Sequence, residues 1–279
     1  MAYKVGCDPE VFVRNPNSGQ FISAHNMIKG DKKNPFKVPD GAVQVDGMAL
    51  EFNIDPAEDA GQFVRNVKSV YNTLQGMVPG YELVNYPFVD FGEEYMKTQP
   101  EEAKELGCDP DFNAWTGLEN PRPDGERSFR TAAGHIHIGW TEDMDVSDPS
   151  HFQDCIEVAK QMDWALGVPS LLWDQEDRRR SMYGNWGAFR PKPYGCEYRT
   201  LSNAWLNSEA LMEHIFNTVQ LAMNDLAGGH RYSSFYGDPG RSRFTRTENV
   251  NELKRMLNSA QFASMRNYWK GDVLVQKAA

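Results

Sequence analysis

Polar and apolar residues alternate over residues 4–13, K-V-G-C-D-P-E-V-F-V, placing Val5, Cys7, Val11 and Val13 on one side and Asp8, Glu10 and Phe12 on the other. A period of two marks a half-buried strand, here with an acidic face. Residues 42–54 hold two β-rich runs separated by Asp46-Gly47, which predicts a hairpin or bulge with Glu51 on its second strand. A helix is expected next, with Asp55 as cap, Pro56 at its first position, Glu58 completing a capping box, and Phe63, Val67, Val70 and Leu74 along one stripe. Gly76 and Pro79-Gly80 end it. Residues 85–127, rich in Pro, Gly, Glu and Asp, predict a long irregular excursion between two structured portions of one domain spanning 1–279. Alternation returns over 130–140, with His135 and His137 on one face and Ile136 and Ile138 on the other. Helices are expected from Asp148-Pro149 through Phe152, Ile156, Ala159 and Met162 to about Leu166, over 208–227 with a stop at Gly228-Gly229, and over 248–258. Residues 194–201 predict a strand with Glu197 and Arg199 on one side. Without a regular βαβ rhythm, the fold class is α+β with a largely antiparallel sheet.

Composition narrows the setting. The 279 residues are 40% hydrophobic, enough for a substantial core. With 24% charged residues and no run of about 18 apolar ones, neither a membrane-spanning helix nor a secretory segment is read, and a cytoplasmic location is expected. Lys and Arg number 29 against 39 Asp and Glu, a net charge of −10, which weighs against duplex nucleic acid or an anionic membrane as partner. Any polyanion bound is expected to be small and locally held. Cys7, Cys108, Cys155 and Cys196 form no C-x-x-C pair and read as reduced thiols. Cys7 and Cys196 fall on the strand faces opposite the neighbouring acids, which favours core packing over a nucleophile's role. An oligomer is compatible with the sequence.

Four strands each offer chemically competent side chains on a single face: Asp8 and Glu10, Glu51 with Asp46 nearby, His135 and His137, and Glu197 with Arg199. Brought together on adjacent strands, carboxylates and an imidazole suit Mg²⁺ or Mn²⁺, and a bound ion offsets the repulsion among them. Each segment alone also fits a plain structural use, as a solvated strand edge, an exposed histidine face or an ordinary ion pair; four in one chain require that explanation four times. The stretch from Arg178 to Arg190 adds guanidinium groups, which bind phosphate oxygens bidentately, with Gly184 and Gly187 leaving room for close backbone approach. Arg178 and Arg179 read as a solvated basic turn beside Asp174, Glu176 and Asp177, whereas Arg190 and Arg199, flanked by aromatic and apolar residues, read as inward-facing. The tract Arg241, Arg243 and Arg246 reads as an exposed loop before a cap at Thr247, or as a substrate clamp. Of the rings at Tyr183, Trp186, Phe189, Tyr194, Tyr198 and Trp205, most are expected in the core, with stacking on an adenine ring as the alternative.

The order of these motifs resembles the glutamine synthetase and glutamate–cysteine ligase superfamily, most closely the carboxylate-amine ligase-type proteins of bacteriophages. G-C-D-P-E-V-F resembles the first acidic strand, G-x-E-P-E-x-F, implying Glu10 as a metal ligand and Asp8, where the motif has Glu, as an acid facing the nucleotide-metal site. V-D-G-M-A-L-E-F implies metal roles for Asp46 and Glu51, and A-A-G-H-I-H-I-G implies His135 on metal and His137 near ATP phosphates. R-S-M-Y-G-N-W-G-A-F-R-P followed by C-E-Y-R implies Arg180 and Arg190 near substrate and phosphate, Glu197 on metal and Arg199 on the transferred phosphoryl group. The resemblance further implies a curved, mostly antiparallel sheet packed by helices with the active site on its concave face, and ATP with Mg²⁺ or Mn²⁺ as cofactors.

Three functions compete on this reading. The leading one is an ATP-dependent ligase joining a small-molecule or peptide carboxylate to an amine through an acyl phosphate, in the host cytoplasm if the chain is phage-encoded. The others are a metal-dependent hydrolase built on His135 and His137, and a non-catalytic phage structural or host-interacting protein.

Overall fold

The computed structural model describes residues 3–104, 110–121, 127–174, 176–242 and 250–257. Strand β1 (Lys4–Arg14) carries the alternation of the sequence into space: Val5, Cys7, Val11 and Val13 are buried in the main core, while Asp8 and Glu10 lie on the other face. At this length it serves several neighbours. Lys4 to Pro9 pair with β11 (Gly134–Gly139), Glu10 and Val11 with β5 (Ala49–Ile54), and Phe12 to Arg14 with β6 (Glu82–Val84), β2 (Phe21–Ile22) adding a short pairing at Val13 and Arg14. Around this centre the order is β3 (Phe36–Val38), β4 (Gly41–Asp46), β5, β1, β11, β13 (Gly195–Tyr198), β12 (Ala188–Lys192), β8 (Phe112–Asn113), β9 (Leu118–Glu119). Every pairing is antiparallel, and β7 (Phe88–Asp90) with β10 (Phe129–Thr131) forms a separate ribbon. The hairpin expected at Asp46-Gly47 is the β4–β5 connection, where Gly47 adopts φ +57°.

The apolar face of the sheet is covered by α1 (Ala60–Met77) and α4 (Pro149–Met162), with α7 (Glu209–Ala227) packed against both helices. Phe63, Val67, Val70 and Leu74 from α1, Ile156, Ala159 and Met162 from α4, and Ile215, Phe216 and Val219 from α7 join Ile136, Ile138, Cys196 and Tyr198 in one core. Burial of this continuous apolar surface is the main force holding the layers together. Asp148 caps α4 as expected, accepting from the N–H groups of Ser150 and His151, and the helix runs on through one wider π-turn over Asp163–Gly167. A short 3₁₀ turn, Asn203–Asn207, leads into α7, which ends at Gly228. The shorter helices are α2 (Glu93–Lys97), α3 (Glu101–Lys104), α5 (Val168–Ser170), α6 (Asp177–Arg180), α8 (Tyr232–Tyr236) and α9 (Val250–Leu257). Among the described residues no helix is long and apolar enough to cross a membrane.

Three expectations are corrected. The helix after β5 starts at Ala60 with Asp59, not Asp55, as its cap: Ala57 exchanges both backbone hydrogen bonds with Val5, so the chain stays extended through Pro56 and Ala57. Asp59 accepts from Gln62 N–H, and Gln62 Oε1 accepts from Glu58 N–H, a side-chain cap four residues later than expected. The 85–127 stretch contributes short regular elements among its described residues, since β7 pairs with β10 and β8 with β12, partners that its composition does not announce. The strand over 194–201 ends at Tyr198, after which Arg199 N–H donates to Ala188 O and Gly134 N–H to Leu201 O.

Candidate functional site

The face opposite the helices borders a cavity of ≈ 1680 Å³ whose lining includes Asp8, Glu10, Asp46, Glu51, His135, His137, Arg190 and Arg199. Register explains the convergence. Arg190 on β12 stands opposite Glu197 on β13, which stands opposite His137 on β11; Asp8 on β1 stands opposite His135; and Glu10 stands opposite Glu51, which faces Gln44 on β4. A strand presents alternate residues to one face, so one consistent set of pairings delivers all these groups together.

They divide into two groups, in each of which one ligand atom per residue lies within 4.8 Å of the others: Glu10, Asp46 and Glu51, and Asp8, His137 and Glu197. In the first, Ala133 N–H donates to Glu10 Oε2 at 2.9 Å, Gln44 donates to Glu51 Oε2 at 2.8 Å, and Lys32 Nζ lies 2.8 Å from Asp46 Oδ1. Burial first, and then the neighbouring carboxylates, push Glu10 up to about 7 and hold Glu51 well above the usual carboxylate range. Lys32 is raised, the carboxylates outweighing the opposite effect of burial.

The second group is crowded with cations. Glu197, fully buried, receives Arg199, Lys192 at 2.8 Å and Arg190 at 3.3 Å. Arg199 also binds Asp111 at 3.0 Å and donates to the Tyr183 hydroxyl. His135 Nδ1 sits between Asp8 Oδ1 at 3.2 Å and Glu197 Oε1 at 3.3 Å, so this ring bridges the two carboxylates and stands outside both potential ligand groups. Burial and the charge of Arg199 lower His135 to about 4, which keeps it neutral at physiological pH. Burial alone would raise Asp8, yet the two imidazoles outweigh it and hold this carboxyl well below its usual range. His137 is raised because Asp8, 3.0 Å from its Nε2, outweighs burial. Apart from these imidazole–carboxylate contacts, neither His137 Nε2 nor Asp8 Oδ1 has a hydrogen-bond partner, while Tyr194 OH meets His137 Nδ1. Buried carboxylates with open lone pairs beside an imidazole suit a hard divalent ion, and so does the Glu10, Asp46 and Glu51 set.

Some expected residues lie elsewhere. Arg180 does not line the cavity; it pairs with buried Asp174 at 3.2 Å and Ser170 at 2.9 Å, because a carboxylate buried there needs a counter-charge. Arg179 is no solvated turn: it is fully buried and donates to the carbonyls of Ala132, Thr200 and Leu201 at 3.0, 2.9 and 2.7 Å, whereas Arg178 is exposed and pairs with Glu176. Gly184, at φ +72°, leaves room for that guanidinium and not for a ligand, since a Cβ there would lie 2.6 Å from Arg179. Phe189, Tyr198 and Trp205 are core residues, and Tyr183 and Tyr194 line the cavity. Cys7, Cys155 and Cys196 are buried free thiols. Arg243, Arg246, Thr247 and Cys108 lie outside the described residues. The sequence reading missed Lys192, although R-P-K over 190–192 puts it on the same strand face as Arg190; Lys32 and Asp111, on loops, carry no such periodic signal.

This fold and site define an antiparallel α+β protein with a carboxylate- and arginine-lined cavity. Residues 129–267 match the family model described as Phage phiEco32-like COOH.NH2 ligase-type 2, and over that stretch the chain is similar to this ligase-type family. No curated protein matches it. One similar solved structure, titled "Crystal structure of novel glutamine synthase homolog", aligns over 96% of this chain and 70% of that chain with 9% identity and a TM-score of 0.37, a likeness too slight to speak to function.

Proposed function

We propose that the protein is an ATP-dependent ligase that joins a small-molecule or peptide carboxylate to an amine through an acyl phosphate. One observation carries the reading: a cluster of three carboxylates and a cluster of three basic side chains, Arg190, Lys192 and Arg199, face the same cavity. Phosphoryl transfer between two anions needs both, since catalysis rests on positioning and on offsetting charge. Glu10, Asp46 and Glu51 would hold Mg²⁺ or Mn²⁺, because negative charge is least compensated there, and an ion so held would screen phosphate from carboxylate. Arg199 and Arg190, joined by Lys192, meet the phosphoryl oxygens, and Arg199 in addition stabilises charge that develops during transfer. Asp8, held ionised between its imidazoles, draws the ammonium form of the amine into the cavity and is the nearest acceptor for the proton that the amine must lose before it attacks the acyl phosphate. His135 keeps Asp8 and Glu197 in place, and His137 lies beside them toward the phosphates. The hydrolase reading is disfavoured because neither ligand group contains both histidines.

Isotope tracing tests the route. With ¹⁸O in the substrate carboxylate, one label is expected in inorganic phosphate for each amide formed, with ADP as the other product. Label in AMP, or amide formed without nucleotide cleavage, rejects it.

A further inference from the structure

Between β2 and β3 the chain crosses the β4–β5 hairpin, and His25, Asn26, Ile28, Gly30, Lys32 and Lys33 line the cavity. This crossing is anchored at its base and open at its tip. Ala24 N–H donates to Met48 O at 3.1 Å and Val45 N–H to Gly30 O at 3.1 Å; Gly30 sits at φ +102°, where a Cβ would lie 2.5 Å from Val43 O. Beyond Gly30 the chain turns on itself, Asp31 Oδ1 accepting from Lys33 and Asn34 N–H at 2.8 and 2.9 Å. Lys32 stands on this turn. Its side chain is 45% exposed, yet its ammonium reaches 2.8 Å from Asp46, which is only 15% exposed and belongs to the three-carboxylate group. A long side chain, loosely covered along its length and committed only at its tip, is built to leave its partner.

We propose that Lys32 is an exchangeable counter-cation: it neutralises Asp46 while the carboxylate group holds no divalent ion and yields that place when one binds. The inference rests on the reading of Glu10, Asp46 and Glu51 as a cation site. One ammonium offsets a single charge among three carboxylates, so a divalent ion offers more, and the displaced lysine is left at the cavity wall where an anionic substrate group can meet it. Ion binding is thereby coupled to the position of the Lys32 side chain on the anchored turn.

The test is Mn²⁺ binding to the full chain by calorimetry at low ionic strength, in the absence of nucleotide, for wild type, Lys32→Met, Lys32→Arg and Glu51→Gln. Removing the competing ammonium is expected to tighten Mn²⁺ binding by about 5- to 20-fold in Lys32→Met, while Lys32→Arg stays near wild type. In parallel, amine labelling read by mass spectrometry is expected to rise at Lys32 when Mn²⁺ is added to wild type, to stay constant at Lys29, and to stay constant at both in Glu51→Gln. Unchanged or weaker Mn²⁺ binding in a folded Lys32→Met, with binding lost in Glu51→Gln, overturns the lysine's role and leaves the cation site standing. Absence of Mn²⁺ binding by every variant overturns the site, and this inference with it.

Discussion

Arg199 reaches Glu197, Asp111 and Tyr183, and its Nη1 lies 3.5 Å from His135 Nδ1. On the proposed function, a guanidinium held this firmly would be preorganised for charge that appears only during reaction. Arg199→Ala is therefore expected to lower kcat by about 10²- to 10³-fold while shifting the melting temperature by only a few degrees, because Arg190 and Lys192 still partner Glu197. Arg199→Lys is expected to recover little, having lost the planar fork. Equal turnover by the alanine variant and wild type would remove Arg199 from the chemistry. A second residue acts on stability alone. Burial pushes Asp163 up to about 7, against hydrogen bonds from Trp115 at 2.6 Å, Tyr198 at 2.8 Å, Thr200 at 3.3 Å and the Gly187 N–H. Its folded pKa lies above the usual carboxylate value, so its contribution to stability is full below about pH 4 and is lost as pH rises through about 7, a change of about 4 kcal/mol. Asp163→Asn removes this titration. The advantage of wild type over Asp163→Asn, read from urea midpoints, is expected to shrink between about pH 5 and pH 8; a constant gap would show that Asp163 does not titrate in that window.

At the scale of elements, the short helix α6 shows what tertiary context adds. Arg179 ties Ala132, just before β11, to Thr200 and Leu201, just after β13, and so fixes the ends of two site-bearing strands. Arg179→Lys leaves carbonyls unsatisfied and is expected to cost about 2–4 kcal/mol in denaturant unfolding. Exposed Arg178→Ala is expected to cost far less, its partners being solvent-screened Glu176 and the Phe88 ring. Comparable losses in the two would refute the strand tie. The same contrast marks the limit of the sequence. Period-two alternation revealed β1, β11 and the site face of β13, because one side of each is core and the other polar. Arg178 and Arg179 are indistinguishable by local pattern, and only the carbonyls of distant strands decide which is buried. Asp55 and Asp59 are equally good caps locally; the bridge from Ala57 to Val5 selects the second. Likewise, Glu10, Glu51, His135 and Glu197 were legible as one face, but the separation of Glu10 and Glu51 from Glu197, which joins His137 and Asp8 while His135 stands outside both groups, depends on strand register and on side-chain directions that no spacing encodes.

At the scale of the whole molecule, a chain of net charge −10 keeps its two charge clusters on one cavity. On one side Glu10, Asp46 and Glu51 face a single nearby ammonium, Lys32; on the other Arg190, Lys192 and Arg199 gather around Glu197. On the proposed function, nucleotide alone would bring phosphates toward poorly compensated carboxylates, and a divalent ion alone would bring no anion to the basic cluster. Together each would offset what opposes the other, so their binding would be coupled with a favourable sign. A ligand that binds only the folded state at about 100 times its Kd stabilises by about 2.7 kcal/mol, several degrees for a chain of this size. Mg²⁺ plus ATP is therefore expected to raise the melting temperature by more than the sum of the two added separately, with the free Mg²⁺ concentration matched between samples. Glu51→Gln is expected to abolish the excess while leaving any effect of ATP alone, because it weakens the carboxylate group without touching the basic one. Strict additivity in wild type, or an excess that survives in Glu51→Gln, would show that the two clusters do not act on one ion–nucleotide pair.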